Sequence, residues 1–167
     1  MLSLTGHPVF DINNYVNDGF TKVCEIGWFD NQWFYKPTDF RKMYKNHCSW
    51  VYFIVVDNEI VKVGETGNHL ALKDSKGQDV KGSKSRLGRY INGDRTDAYI
   101  RESLRKETTE NRVSVWAREL PYVKTKICIN GIETEVIHKS NMEVEKHYLD
   151  LMRKKALRYP LLNKGRK

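Results

Sequence analysis

Cysteine, proline and long apolar runs are scarce in this chain. Its 167 residues hold three cysteines and four prolines. Cys24, Cys48 and Cys128 are odd in number and show no C-x-x-C spacing, which argues against a disulfide framework or a zinc cluster. Such thiols fit a reducing cytoplasm as packing residues, so a cytoplasmic location is expected. No apolar run approaches the roughly 18 residues of a membrane span. Met1 to Phe10 carries His7 and Pro8 without a long apolar stretch, so no secretory signal is read there. The chain has neither a P-loop nor a G-x-G-x-x-G turn, and Glu143 and His147 lack the second histidine of H-E-x-x-H.

Positive charge is what the chain has in excess. Twenty-nine Lys and Arg against 21 Asp and Glu give a formal charge of +8. Basic side chains release condensed counterions when they meet phosphates, so this balance favours a polyanionic partner. The 40% hydrophobic content suffices for one respectable core, whereas two independent domains would each be small for their own stability.

Residues 1–48 form a distinct region in which Phe20, Trp28, Phe29, Trp33, Phe34, Tyr35, Phe40 and Tyr44 mix with lysines and Arg41. Aromatics among bases can stack on nucleic-acid bases, but more often they pack an extension onto a core. A short helix over Thr38 to Asn46, capped by Thr38 or Asp39, is expected there.

From Ser49 the pattern is β. Val51 to Val56 is β-branched and aromatic throughout and stops at Asp57-Asn58, so it reads as a central strand in a hairpin with Ile60 to Val63. With an odd-numbered connection, Asp57-Asn58-Glu59, Tyr52 and Lys62 would share a face of the sheet; a two-residue turn would separate them. Residues 73–84 read as a mobile surface loop rich in glycine and charge. Helices follow at Arg86 to Ile91, stopped by Asn92-Gly93, and from Thr96 to Glu107. Arg112 to Glu119 reads as a third strand, and Lys126 to Val136 as a further hairpin about an Asn130-Gly131 turn. A last helix starts at Ser140. There Ser140-x-x-Glu143 has the form of a capping box, and Val144, Tyr148, Leu151 and Met152 make an apolar stripe beside Glu145.

The ordered set of Trp50-Val51-Tyr52, Lys62-Val63-Gly64, Gly64-Glu65-Thr66-Gly67-Asn68, Arg86 with Tyr90 four residues on, Glu145, and Pro160-Leu161-Leu162-Asn163 resembles the GIY-YIG nucleases. Two letters of each half of the name motif differ. The resemblance covers residues 49–163 and implies an α+β fold with a small, mainly antiparallel three-stranded sheet flanked by helices. Here an N-terminal extension over residues 1–48 and an extra β-hairpin would be added, with the nuclease-like domain at 49–167.

The activity implied is that of a metal-dependent DNA endonuclease, a hydrolase leaving 5′-phosphate and 3′-hydroxyl ends on double-stranded DNA in the manner of a compact restriction-type or phage enzyme. By that resemblance Tyr52, Lys62, Arg86, Tyr90 and Glu145 are catalytic, Glu145 holds Mg²⁺ or Mn²⁺, and Gly64 and Asn163 support the site. An ammonium from Lys62 would favour the Tyr52 phenolate, and Arg86 would fork onto the scissile phosphate. Glu143 competes with Glu145 for the metal but is better explained as a cap. Lys73, Lys76, Lys81, Lys84, Arg89, Lys164 and Arg166 are the expected DNA contacts, with target reading assigned to residues 1–48 and to insertions at 69–84 and 120–140. A palindromic target would call for a symmetric dimer. No membrane partner is expected. A silent nucleic-acid-binding module and an RNA-directed nuclease are the alternative readings.

Overall fold

The computed structural model describes residues 6–44, 48–82, 84–93 and 95–163, the side chain of residue 95 excepted. Lys45, Lys164 and Arg166 therefore lie outside the described residues. In chain order the elements are β1 (Thr21–Phe29), β2 (Gln32–Pro37), α1 (Phe40–Met43), β3 (Cys48–Val56), β4 (Glu59–Thr66), α2 (Arg86–Asn92), α3 (Arg95–Ser103), α4 (Arg105–Thr109), β5 (Val113–Pro121), β6 (Val123–Ile129), β7 (Ile132–His138) and α5 (Asn141–Ala156). Five strands form one sheet in the order β2-β1-β5-β3-β4, with every neighbouring pair antiparallel. Among the described residues, strands β6 and β7 form a separate two-stranded sheet. The fold is α+β, with a mainly antiparallel sheet between helices.

All nine residues of β3 are buried, which explains the apolar run from Trp50 to Val56: a strand covered on both faces has no polar side, and the one buried polar side chain, Ser49, donates to the Leu120 carbonyl. Trp50, Tyr52, Ile54 and Val56 face a core shared with Leu87, Tyr90, Ile91, Ile100 and Leu104. Val51, Phe53 and Val55 face the other core, with Phe10, Phe20, Tyr148, Leu149 and Met152. Helices α2 and α3 thus cover one face, and α5 with the N-terminal segment covers the other. Tyr148 secures α5 twice, accepting from Arg118 Nη1 at 2.8 Å and donating to Asp18 at 2.8 Å. Among the described residues no helix is long and apolar enough to cross a membrane.

The three expected strands are one end of this sheet; the N-terminal region adds the other two. Asp30 and Asn31 take φ of 50° and 58°, the paired left-handed conformation of a tight two-residue hairpin turn. Asn130 and Gly131 do the same at 52° and 77°, as the sequence signalled. The continuous helix expected from Thr96 to Glu107 is broken at Leu104 into α3 and α4. The short helix after Pro37 is only Phe40–Met43, capped by the Asp39 carboxylate. Within the surface loop expected after residue 73, Lys73 bridges Asp79 across a turn, and Tyr44 donates to Asp79 at 2.7 Å. Cys24 and Cys48 are packing thiols as expected, but Cys128 is exposed on β6.

Candidate active site

The hairpin β3–β4 sets the site through its register. Its connection is the two-residue turn Asp57-Asn58, not the three-residue one expected, with Asp57 at φ 53°. Lys62 nevertheless lies on the Tyr52 face, because a bulge intervenes. Val55 pairs with Ile60 and Ile54 with Lys62, leaving Val61 as an extra residue that restores the parity. Tyr52 itself pairs with Gly64. A Cβ built on Gly64 would stand 2.3 Å from Tyr52 Cζ and 2.4 Å from its hydroxyl, so the phenol lies across a strand position that only glycine can leave open.

The edge of β4 is covered by the chain's C-terminal segment. Leu162 N donates to Val61 O at 2.8 Å. The Asn163 side chain accepts from Val63 N at 2.7 Å and donates to Val63 O at 2.8 Å. One carboxamide thereby satisfies both backbone groups of the residue between Lys62 and Gly64.

Beside this edge, where the helices of both faces meet, lies a cleft of about 450 Å³ whose walls include Lys62, Glu65, Arg86, Glu145, Asp150 and Asn163. Glu145 is only 5% exposed, on the first turns of α5. Glu143 is exposed and does not line the cleft. The capping box expected for Glu143 is not formed, since the Ser140 side chain makes no cap hydrogen bond. Asn141 ties the start of α5 to the sheet instead, donating its amide to the Glu65 carboxylate.

Tyr52 and Tyr90 lie behind the cleft wall, each 0% exposed. Arg86 Nε donates to the Tyr52 hydroxyl at 2.9 Å, and that hydroxyl is 2.8 Å from the hydroxyl of Tyr90. The guanidinium also stands over the Tyr90 ring, 5.5 Å from its centroid. Burial pushes the Tyr52 phenol above its ordinary value, and Arg86 pulls back against it without reversing the sign. Tyr90 is pushed well up by burial, with Tyr52 adding to the shift. The cation that tunes the phenol is therefore Arg86, where the sequence had pointed to Lys62, and the net direction is toward the neutral form. Arg86 in turn is held further in its charged form by the Tyr52 phenol.

The N-terminal hairpin reaches this site from the other side. Tyr35 donates to the Leu87 carbonyl, and the Trp33 ring lies 5.5 Å from that of Tyr90. Both contacts position α2, and nothing local in the sequence announced them. Glu65, which joins Glu145 and Asp150 among the carboxylates of the cleft, was likewise hidden within the glycine turn. Its partner Asn141 is 76 residues away.

A smaller pocket of about 230 Å³ adjoins the cleft across Glu65 and Arg86, with His69, Lys84 and Arg89 in its wall. Arg89 Nε stands 3.1 Å from the buried Asp97 carboxylate. Lys73 lies 3.5 Å from Asp79 and 4.8 Å from the Tyr44 ring centroid, and Lys81 donates to Gln32 at 3.3 Å. Lys76 is exposed. Of the expected DNA contacts, Lys84 and Arg89 line the second pocket, Lys73, Lys76 and Lys81 lie on the loop before it, and Lys164 and Arg166 lie outside the described residues.

No family model matches the chain, and no curated protein matches it by sequence. Solved structures do. A mutant of bacteriophage T4 EndoII matches with a TM-score of 0.58 and 15% identity, over 92% of this chain and 98% of that one. The chain shares its fold with T4 EndoII. The restriction endonuclease HPY188I in complex with product DNA matches at a TM-score of 0.46 and 13% identity, over 99% of each chain.

Among the described residues no group of three or more His, Cys, Asp or Glu could enclose a metal. A hydrated divalent ion needs less. Mg²⁺ keeps several waters and commonly takes one or two protein carboxylates, with substrate phosphate completing its shell. Glu145, with Glu65 on the wall of the same cleft, fits that donor set.

Proposed function

We propose that this chain is a metal-dependent DNA endonuclease of GIY-YIG type that hydrolyses phosphodiester bonds in duplex DNA to 5′-phosphate and 3′-hydroxyl ends. The observation that carries the reading is one cleft lined by Lys62, Arg86, Glu145 and Asn163, with Tyr52 joined to it through Arg86. The shared fold with a phage endonuclease supports it, as does the charge of +8.

In this reading each side chain has a distinct task. Arg86, which stays charged, meets the non-bridging oxygens of the scissile phosphate and offsets the charge that develops there. Glu145 would hold the divalent ion, with Glu65 beside it; such an ion acts as a Lewis acid on phosphate oxygens. Lys62, on the Tyr52 face of the hairpin and in the cleft wall, would accept the proton of the attacking water as a neutral amine and become the ammonium. Burial keeps Tyr52 protonated behind that wall, so Tyr52 orients the guanidinium of Arg86. Tyr90 stands behind the phenol as a positioning residue. Asn163 and Gly64 fix the strand on which the others depend. His69, Lys84 and Arg89 take flanking phosphates.

Plasmid DNA tests the proposal. With Mg²⁺ the purified protein should nick or linearise supercoiled plasmid, and EDTA should stop it. Glu145→Gln should lower the rate by about 10³-fold while DNA binding persists. Binding without cleavage in Mg²⁺ or Mn²⁺, or cleavage indifferent to Glu145→Gln, would overturn the reading.

A further inference from the structure

Only part of the cleft wall is polar. Lys62, Arg86, Glu145 and Asn163 supply groups that meet a phosphate and a hydrated ion, but the same wall also holds Tyr99 and Ile100 of α3, Leu149 of α5, and Tyr159 and Leu162. Ile100, Leu149 and Leu162 are buried, whereas Tyr99 is 42% exposed. Leu149 follows Glu145 by four residues on α5, so the apolar patch begins one helical turn from the carboxylate, about 6 Å along the axis. Arg153 stands over the Tyr159 ring, 5.5 Å from its centroid, without lining the cleft, and so holds that ring from outside.

We propose that this apolar patch is a subsite for one nucleobase, that of the nucleotide attached to the scissile phosphate, with Tyr99 as the ring on which it stacks. The proposal deepens the nuclease reading and rests on it for the strand that enters. A phosphate with its ion engages the polar groups alone. The whole cleft holds about 450 Å³, within the range of about 300–1,000 Å³ of pockets that enclose an entire small molecule. Of the parts of a nucleic acid only the base is flat with apolar faces, and aromatic side chains are the surface on which unstacked bases settle. Its polar edge would meet Thr96 and the pair of Lys146 and Asp150, 2.6 Å apart, in the same wall.

A base within a duplex has both faces covered by its neighbours, so it must leave the stack to enter this patch. Leaving costs least at a mismatch, a damaged position or a single strand. Stacking on Tyr99 returns part of that cost. The substrate class that follows is DNA whose helix yields at the cut. Choice among sites then depends on how readily one nucleotide turns out, as well as on contacts to paired bases.

Binding of a single nucleotide tests the proposal without any cleavage. Thymidine and deoxyadenosine 3′,5′-bisphosphates carry a phosphate on either side of one base and contain no phosphodiester to cut; the tetrahydrofuran bisphosphate is their base-free counterpart. In Mg²⁺, followed by amide NMR of the intact protein, the tighter of the two nucleotides should bind at least about 10-fold better than the base-free compound, with the Tyr99 and Ile100 signals shifting. Tyr99→Ala should abolish that difference and leave binding of the base-free compound unchanged, and Tyr99→Phe should keep it. Equal affinities for all three compounds in the wild type, or a preference that survives Tyr99→Ala, would overturn the proposal. Plasmid cleavage is read separately. A protein that holds the base through Tyr99 but leaves plasmid intact contradicts the nuclease reading alone, and one that cuts plasmid without preferring the base contradicts only the subsite.

Discussion

Gly64 and Tyr52 show how much one missing methyl can decide. The phenol occupies the space where a Cβ at position 64 would be, and its hydroxyl receives Arg86 from one side and meets Tyr90 from the other. Gly64→Ala must therefore move an aromatic ring that the core holds on every other side. Overpacking of this kind costs about 1–3 kcal/mol. The greater effect should fall on cleavage, because a displacement of about 1 Å at a catalytic group can cost roughly 100-fold in rate. A urea melt and a plasmid-cleavage rate on the same preparation would separate the two. Equal losses in a Val63→Ala control, which removes bulk from the same strand without touching the phenol, would show that strand stability alone was at stake. The sequence marked Gly64 as part of a motif. It could not show that the residue is glycine because a tyrosine lies across it, since that contact exists only between paired strands.

At the scale of elements the decisive piece is the bulged edge strand β4 and the C-terminal segment laid along it. The outward side of an edge strand has no ladder partner, and Leu162 N and the Asn163 carboxamide take up the free backbone groups of Val61 and Val63. Asn163→Ala should strand both polar groups of Val63, a loss of about 1–3 kcal/mol. Amide exchange at Val63 should accelerate before that of β3. Asn163→Asp retains the acceptor and loses the donor, so it should fall between wild type and Ala; an Asp variant no better than Ala would place the effect in the donor. The hairpin β3–β4 and helix α5 were legible in the sequence because each carries a strong apolar pattern. Strands β1 and β2 were not, because their aromatics alternate with bases in a way that also suits an extension. The bulge at Val61 has no glycine or proline to mark it, so the shared face of Tyr52 and Lys62 was reached through the wrong turn length. The link between Glu65 and Asn141, like the approach of Tyr35 to Leu87, is set by tertiary packing across many residues and has no local signature.

Taken whole, the described residues bury five phenols across both cores: Tyr35, Tyr52 and Tyr90 on one side of the sheet and Tyr15 and Tyr148 on the other. Burial raises all five above the ordinary tyrosine value, Tyr148 to about 12 with Asp18 contributing. A raised pKa means that the native state keeps these protons after the unfolded chain has begun to release them near pH ~10. The stability they contribute is accordingly complete below that pH and declines as pH climbs toward the native values. Each phenol can withdraw up to about 1.4 kcal/mol per pH unit in that window. Deprotonation of surface lysines over the same range lowers the net positive charge and acts the other way. That effect is spread over exposed, screened groups and is smaller. The urea midpoint should therefore be flat from pH 7 to about 9.5 and fall steeply by pH ~11. Absorbance of ionised tyrosine should appear in two stages, the exposed phenols first and the buried ones only as the fold is lost. Ionisation of all the phenols together near pH ~10, with secondary structure intact, would contradict the burial of Tyr52 on which the geometry of the cleft depends.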